Sequence, residues 1–362
     1  MSHMKLNIDK IRKDFFKKSI SVGHHNIKYT LTQIMLVILN LIKCLETIES
    51  GAKSPSAQTI RDRLDLTGAW LLSFHESMWE IAKWAIKRFN RIKWFISIDE
   101  TYVAFFGDRD KLNAALMKKG VGKFVFGYKN KVKGATGSFC YLVVSLCCNK
   151  IRIPIAIKIM KVGERYEPWL KPILKKLLLL VPNAIILADR GFGKSAWFYR
   201  LMEELKAQYV VRIPLRKKES KNKVKNGNRH FQQWIKDTIT KEKTLLDIFV
   251  AKDNKNRRYF LASNITHKSP KQLLLFYMHR WDLENIFKDA DRVELPTSSR
   301  NPMMRLFCVV TSFLVFTLWQ CEKTINRICF SLRIFVKHIV NALCATLNVF
   351  ISPIGELLKA VT

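Results

Sequence analysis

Acidic residues are scarce in this chain. Its 362 residues carry 29 Asp and Glu against 63 Lys and Arg, a formal net charge of +34 at neutral pH. An excess of that size disfavours cationic partners and points to a polyanion, with nucleic acid ahead of an anionic membrane surface. Cysteine pairing is missing as well. The cysteines at 44, 140, 147, 148, 308, 321, 329 and 344 form no C-x-x-C pair and have no His at zinc-site spacing. Most lie in apolar runs, as small buried hydrophobes of a reducing, cytoplasmic compartment. No secretory leader is expected, because Lys5 to Lys18 is charged without an apolar centre. The opening Met-Ser-His-Met reads as a cloning remnant ahead of Met4. Long apolar runs are absent too. The longest stretch free of Lys, Arg, Asp and Glu, His338 to Gly355, is broken by Asn341, Asn348 and Pro353. It falls short of the roughly 20 apolar residues of a spanning helix, and Leu306 to Cys321 is shorter still. Both read as buried helices, and no membrane partner is expected.

What is present is apolar enough to fold. Hydrophobic residues make up 48% of the chain, sufficient for a sizeable core and two or three domains. Residues 5–93 read as an all-helical N-terminal DNA-binding region. In it Ser54 caps a short helix with Pro55 at its first position, presenting Arg61 and Arg63 in the manner of a helix-turn-helix. A further helix, Ser73 to Asn90, carries Trp79, Ile81, Trp84 and Ile86.

From Trp94 the pattern changes. Trp94-Phe-Ile-Ser-Ile-Asp99-Glu100 is a short apolar, β-branched run ending in acids, a buried strand with a carboxylate at its end. A Gly-rich loop with Lys129, Lys131 and interleaved aromatics follows, suited to a phosphate backbone and unstacked bases. Residues 139–148 and 151–160 form a hairpin turning at Asn149-Lys150, and a helix runs from about 167 to 180. Ala184-Ile-Ile-Leu-Ala-Asp189 is a second buried strand ending in an acid, followed by Arg190 and a Gly-rich turn. A helix at 195–206 and a strand at 209–214 complete residues 94–214. This order implies an α/β domain with a mixed sheet and flanking helices. Residues 215–269 read as a basic, β-rich insertion with strands at 244–251 and 257–264. Residues 270–362 are helical, in segments of about 270–292, 301–321 and 324–350.

Within the first of these helices, Tyr277, Arg280, Glu284 and Lys288 fall three or four residues apart and share one face. A buried Asp is costly unless it pairs or binds a cation. Asp99 and Asp189 at strand ends, with Glu284 from a packed helix, are suited to holding two divalent ions about 4 Å apart. Oxygen ligands select Mg²⁺ or Mn²⁺, and such a pair suits phosphodiester chemistry. Adjacent strand residues face opposite ways, so Asp99 and Glu100 cannot share this role equally, and Asp99 is the choice. Simpler roles stand beside these: Asp189 as a helix cap, Arg280 as an intrahelical partner of Glu284, Arg190 as a structural partner of Asp189, and His279 as packing rather than a base.

Asp99-Glu100-Thr101, Asp189-Arg190-Gly191-Phe192 and Tyr277-x2-Arg280-x3-Glu284, taken together, resemble the DDE transposases of prokaryotic insertion sequences. Within them they are similar to the group with a Y-x2-R-x3-E signature and a β insertion before the final Glu. The resemblance covers about residues 94–320. It implies a ribonuclease H-like catalytic domain, two Mg²⁺ ions for which Mn²⁺ substitutes, and endonucleolytic cut-and-paste transposition. The expected partner is double-stranded DNA, both transposon ends and target, gripped by a homodimer. By the same resemblance Asp99, Asp189 and Glu284 are the metal ligands, and Tyr277 and Arg280 contact DNA near the cleaved end. Arg190, Lys288, Lys129, Lys131, Arg61 and Arg63 complete the expected DNA contacts. The family signature often continues to a Lys seven residues after the Glu; here that position is Asp291, and Lys288 is the candidate replacement. A nuclease of the same fold without strand transfer, or a non-catalytic DNA-binding derivative, are the competing readings.

Overall fold

A computed structural model describes residues 69–127, 132–214, 229–236, 241, 243–292, 299–326, 331–332 and 334–336. The expected helix-turn-helix with Arg61 and Arg63, the loop residues Lys129 and Lys131, the basic run 216–228 and the stretch 338–355 lie outside the described residues. The chain divides into two compact units, Met78–Ile286 on one hand, and Met1–Ser77 with Phe287–Thr362 on the other.

The Met78–Ile286 unit is built on strand β1, Phe95–Phe105. Its first five residues are buried and the next five half-buried, which follows from its neighbours. Strand β3 (Gly137–Cys147) flanks all eleven residues of β1 in antiparallel register, whereas β5 (Ile185–Ala188) flanks only Phe95 to Ile98, in parallel. Strand β4 (Arg152–Ile159) lies antiparallel on the far side of β3, where β2 (Val125–Phe126) also pairs. On the other side, β6 (Gln208–Arg212) runs parallel to β5. A near-continuous apolar sequence such as Ile-Ile-Leu-Ala in β5 is what a strand buried on both faces requires. Strands β4-β3-β1-β5-β6, antiparallel and then parallel, form the expected ribonuclease H-like mixed sheet.

The strands of the expected insertion, β7 (His230–Lys236), β8 (Lys243–Lys252) and β9 (Arg258–Ser263), do not make a sheet of their own. β9 pairs antiparallel with β6, so they extend the central sheet. Their alternating burial shows one face packed and one exposed.

Helices cover the sheet. α1 (Ala69–Arg88) precedes it, and α2 (Arg109–Lys118) follows β1. α3 (Glu167–Leu180) and α4 (Ala196–Glu204) bury Leu170, Leu174 and Leu177, and Phe198, Leu201 and Met202. α5 (Pro270–Met278) starts with a capping box: Ser269 Oγ accepts from the Gln272 N–H at 3.3 Å, and the Gln272 side chain accepts from the Ser269 N–H at 3.1 Å. Its Leu273, Leu274 and Tyr277 pack with Phe95, Ile185, Leu187 and Val210 of the sheet.

The single helix expected over 270–292 is two. α5 ends at Met278 and α6 spans Trp281–Asp291. Tight turns fill the gap, with the His279 N–H bonded to Phe276 O at 3.1 Å and the Arg280 N–H to Tyr277 O at 2.9 Å. The break coincides with contacts made at His279. His279 stacks on Phe95 with ring centroids 4.2 Å apart, and its Nδ1 lies 3.0 Å from Asp282 in the first turn of α6. Arg280 is thereby turned inward.

In the other unit, Trp70 of α1 meets Phe307 of α7 (Pro302–Asn326) edge-on at 5.4 Å. α7 is long and apolar enough to cross a membrane, yet 89% of its apolar window is buried within the protein. The described cysteines 140, 147, 148, 308 and 321 are buried thiols that form no disulfide among the described residues.

Candidate functional site

Parallel register assembles the site. Ile98 of β1 is opposite Ala188 of β5, and Ala188 is opposite Val211 of β6. The next residues, Asp99, Asp189 and Arg212, therefore stand in a row where the parallel pairing ends. Ligands of open α/β sheets bind at such carboxyl ends.

Asp99 is 8% exposed and points to the face covered by α5 and α6. One carboxylate oxygen accepts the Glu100 N–H at 2.9 Å; the other accepts from Arg280 Nη1, also at 2.9 Å. Arg280 Nη2 lies 2.5 Å from Glu284 Oε1, so one guanidinium bridges two of the three predicted acids. Burial drives the Asp99 carboxyl up to about 7; Arg280 opposes this, while the charges of Asp189 and Glu284 push it further up. The charges of Asp189 and Glu284 are thus close enough to act on Asp99. For Arg280, burial works against its charge, but Tyr277, Asp99 and Glu284 outweigh it and hold the guanidinium protonated. Its Nε is buried without a hydrogen-bond partner among the described residues. The guanidinium's donors are thus only partly satisfied.

Asp189 is half-buried at the start of a tight turn. Its Oδ1 accepts the Gly191 N–H at 2.6 Å, and its carbonyl accepts the Gly193 N–H at 3.2 Å. Two glycines are required here. A Cβ on Gly191 would stand 2.9 Å from Asp189 Oδ1, and one on Gly193 would stand 2.3 Å from the Arg212 carbonyl oxygen. The turn therefore positions the acid and locks it against the end of β6.

Tyr277 is buried, 2% exposed, with Arg280 over its ring at 5.6 Å. Burial raises its phenol pKa, against the pull of Arg280 and Arg212. In this arrangement it supports Arg280 rather than facing solvent. Arg190 and Lys288 are exposed and have no ion-pair partner among the described residues, which leaves both cations available. The surface pair Glu284–Lys288 expected of a solvated helix does not form; Glu284 takes Arg280 instead. His279 is engaged with Phe95 and Asp282, and Asp282 in turn takes Arg152 Nε at 2.9 Å. Glu100 points to the opposite face, as strand alternation demands, where Tyr102 hydrogen-bonds it. Arg212 was not singled out from the sequence, because the expected strand runs on through Ile213 and Pro214, whereas β6 ends at Arg212.

The donor set fits a hard divalent cation: three carboxylates, oxygen only, two of them raising the pKa of the third. In the arrangement described the guanidinium stands among them, and no three acidic, His or Cys side chains of the described residues close to metal-binding distance. Asp99, Asp189 and Glu284 would hold the ion once Arg280 releases its two partners.

The frame of the site is a ribonuclease H-like mixed sheet, with Asp99 inside β1 rather than at its expected end, Asp189 just after β5, and Arg280 and Glu284 brought in from the α5–α6 segment. The chain belongs to the transposase DDE domain family, whose model matches residues 92–296. Its structure is similar to a cryo-EM structure of the piggyBac transposase synaptic complex with hairpin DNA, at TM-score 0.54 and 13% identity. That match covers 97% of this chain and 80% of the other. A pre-cleavage Mos1 transpososome also matches, at 13% identity over 52% of this chain and 60% of that one, but with a TM-score of 0.20 it supports no argument. No curated protein matches.

Proposed function

We propose that this chain is the DNA transposase of an insertion sequence, cleaving at transposon ends and joining the freed 3′-hydroxyl to target DNA. The observation that carries the reading is the meeting of Asp99 and Glu284 on one buried guanidinium, Arg280, with the charge of Asp189 also acting on Asp99. Residues separated by almost two hundred positions in sequence converge, and they are the ones the family signature names.

Mg²⁺ or Mn²⁺, held by Asp99, Asp189 and Glu284, would activate the attacking hydroxyl and stabilise the leaving oxygen. The chain's own residues prepare for this. Arg280 pairs with Asp99 and Glu284 while the site is empty of substrate, which offsets the cost of burying the Asp99 carboxylate. A DNA phosphate is a competing partner for the guanidinium, able to take both of its terminal N–H groups in one bidentate pair. Transfer of Arg280 from carboxylates to phosphate frees two acids as the scissile strand arrives. Tyr277 keeps the guanidinium aimed, and Arg190 and Lys288 supply further cationic contacts. The DNA is double-stranded, with two ends paired by a homodimer acting in the cytoplasm on chromosomal or plasmid DNA.

The test is incubation of the protein with Mg²⁺ and labelled DNA from the ends flanking its own gene, with Asp189→Ala in parallel. Cleavage followed by joining, both lost in the variant, is the expected outcome. Cleavage without joining would make it a nuclease of this fold, and binding without cleavage would overturn both catalytic readings.

A further inference from the structure

Consecutive residues at the α5–α6 elbow reach two points on one face of β1. His279 lies on Phe95, ring centroids 4.2 Å apart and planes 15° from parallel, and Arg280 reaches Asp99 at 2.9 Å. Phe95 and Asp99 are four strand residues apart, about 13 Å, and strand alternation puts both on the same side. In register, Phe95 stands opposite Cys147 of β3, and Cys147 opposite Arg152 of β4. Arg152 thus lies in the row of Phe95, two strands over, and its Nε meets Asp282 Oδ1 at 2.9 Å. The other oxygen of Asp282 lies 3.0 Å from His279 Nδ1. Only 15% of the Asp282 side chain is exposed, against 31% for Arg152. A carboxylate so far removed from water requires such partners. All of these residues belong to the Met78–Ile286 unit.

An α-helix turns about 100° per residue, so Asp282 and Glu284 project about 160° apart, from opposite flanks of α6. Arg280 grips the Glu284 flank and Arg152 grips the other. Held on both flanks, the helix cannot roll about its axis. The grip by Arg280 is temporary, because its guanidinium leaves the carboxylates before they take a metal ion. From then on the contacts of Asp282 are what keep the first turn of α6 in place. A roll of about 20° swings a side-chain tip, some 5–6 Å from the helix axis, through about 2 Å. Metal–oxygen distances tolerate about 0.2 Å.

We propose that Arg152, acting through Asp282, is a positioning residue for the metal site: it fixes the rotation of α6 and keeps Glu284 aimed at the ion after Arg280 has moved to DNA. His279 is the second arm of the same anchor, tying Asp282 to the elbow. Arg152 acts without touching ion or DNA. The inference rests on the transposase reading, which makes Glu284 a metal ligand.

The experiment measures Mn²⁺ binding from the free-ion electron paramagnetic resonance signal, with the full chain on a pre-cleaved transposon-end duplex and the duplex alone as background. Arg152→Gln removes the cation. The double variant Arg152→Gln with Asp282→Asn leaves no buried charge stranded, so it keeps the test open where the single variant does not fold. Arg152→Lys keeps a cation opposite Asp282. Urea midpoints and metal-free affinity for the duplex are read alongside. Outer partners of metal ligands contribute roughly 10–100-fold to metal affinity. The single and double variants are therefore expected to bind Mn²⁺ roughly tenfold more weakly with duplex affinity retained, and Arg152→Lys to recover most of the loss. A purely structural pair would lower the urea midpoint and leave the Mn²⁺ affinity of the folded protein unchanged. Wild-type Mn²⁺ affinity in the double variant would overturn the proposal, and so would a loss in Arg152→Lys as large as in Arg152→Gln. A fall in metal-free duplex affinity with Mn²⁺ binding intact would overturn it too, by making Arg152 a DNA contact. Asp189→Ala separates the two readings. Binding lost there but intact in the double variant removes the anchor and keeps the metal site, whereas wild-type binding no stronger than that of Asp189→Ala removes both.

Discussion

At the scale of single residues, Arg280 is the pivot. Its side chain and that of Asp99 are 9% and 11% exposed, so breaking the pair strands a buried charge. Arg280→Gln should cost about 3–5 kcal/mol, read as a lower midpoint in urea unfolding. Replacement by Lys should recover little, because an ammonium cannot bridge two carboxylates as a planar fork does. Asp99 carries the pH dependence. Its folded carboxyl holds a proton up to about pH 7, whereas an unfolded Asp releases it near 3.8. The folded state therefore binds the proton more tightly across that window. This residue's favourable contribution is present in full below about 3.8 and is lost as pH rises through 7. Stability difference curves between wild type and Asp99→Asn should slope across pH 4–7 and be flat outside it. Metal affinity should run the opposite way, strengthening toward pH 7 and above as Asp99 ionises. Asp99 and Asp189 stand out in the sequence because each follows an apolar run with a charge, and Glu284 by its spacing from Tyr277, Arg280 and Lys288. The place of the guanidinium between them does not stand out, since an i,i+4 spacing to Glu284 says nothing of a partner 181 positions away.

At the scale of elements, two short segments place the chemistry. The turn after β5 depends on Gly193, whose missing side chain lets the chain lie against the Arg212 carbonyl. Gly193→Ala forces backbone apart and should destabilise the protein by about 1–3 kcal/mol, with Asp189 displaced and cleavage reduced beyond the loss of stability. The break between α5 and α6 is the second segment. Periodicity alone extends one helix through 270–292, because Tyr277, Arg280 and Glu284 keep their spacing whether or not the backbone bonds are continuous. The stacking of His279 on Phe95 and the pairing of His279 and Arg152 with Asp282 are long-range or turn-level effects that no local pattern announces. Strand positions fared better. β3, β4, α3 and β5 fall within two residues of their expected limits, since buried apolar runs bounded by turn residues are unambiguous.

At the scale of the whole molecule, a net charge of +34 makes phosphate contact the dominant source of affinity. DNA binding should weaken steeply with salt, by about a thousandfold between 50 and 200 mM if some six phosphates are engaged. Fluorescence anisotropy at stepped ionic strength checks this, and a flat response would remove the electrostatic account of binding. The sheet is larger than the sequence suggested. Residues 215–269 read as a basic β insertion because a basic run sets them off, yet β9 joins β6 through register that only tertiary pairing reveals.

The most direct test of the central claim, that these carboxylates hold the catalytic metal, is a change of ligand at Asp189. This residue is the acid whose side chain is engaged by a backbone N–H rather than by Arg280. Asp189→Cys replaces hard oxygen by softer sulfur, which Mn²⁺ tolerates better than Mg²⁺. Cleavage of transposon-end DNA by this variant should fall by about a hundredfold or more in Mg²⁺ and recover substantially in Mn²⁺. Cleavage by Asp189→Cys at the wild-type rate in Mg²⁺ would contradict a metal-ligating role for Asp189.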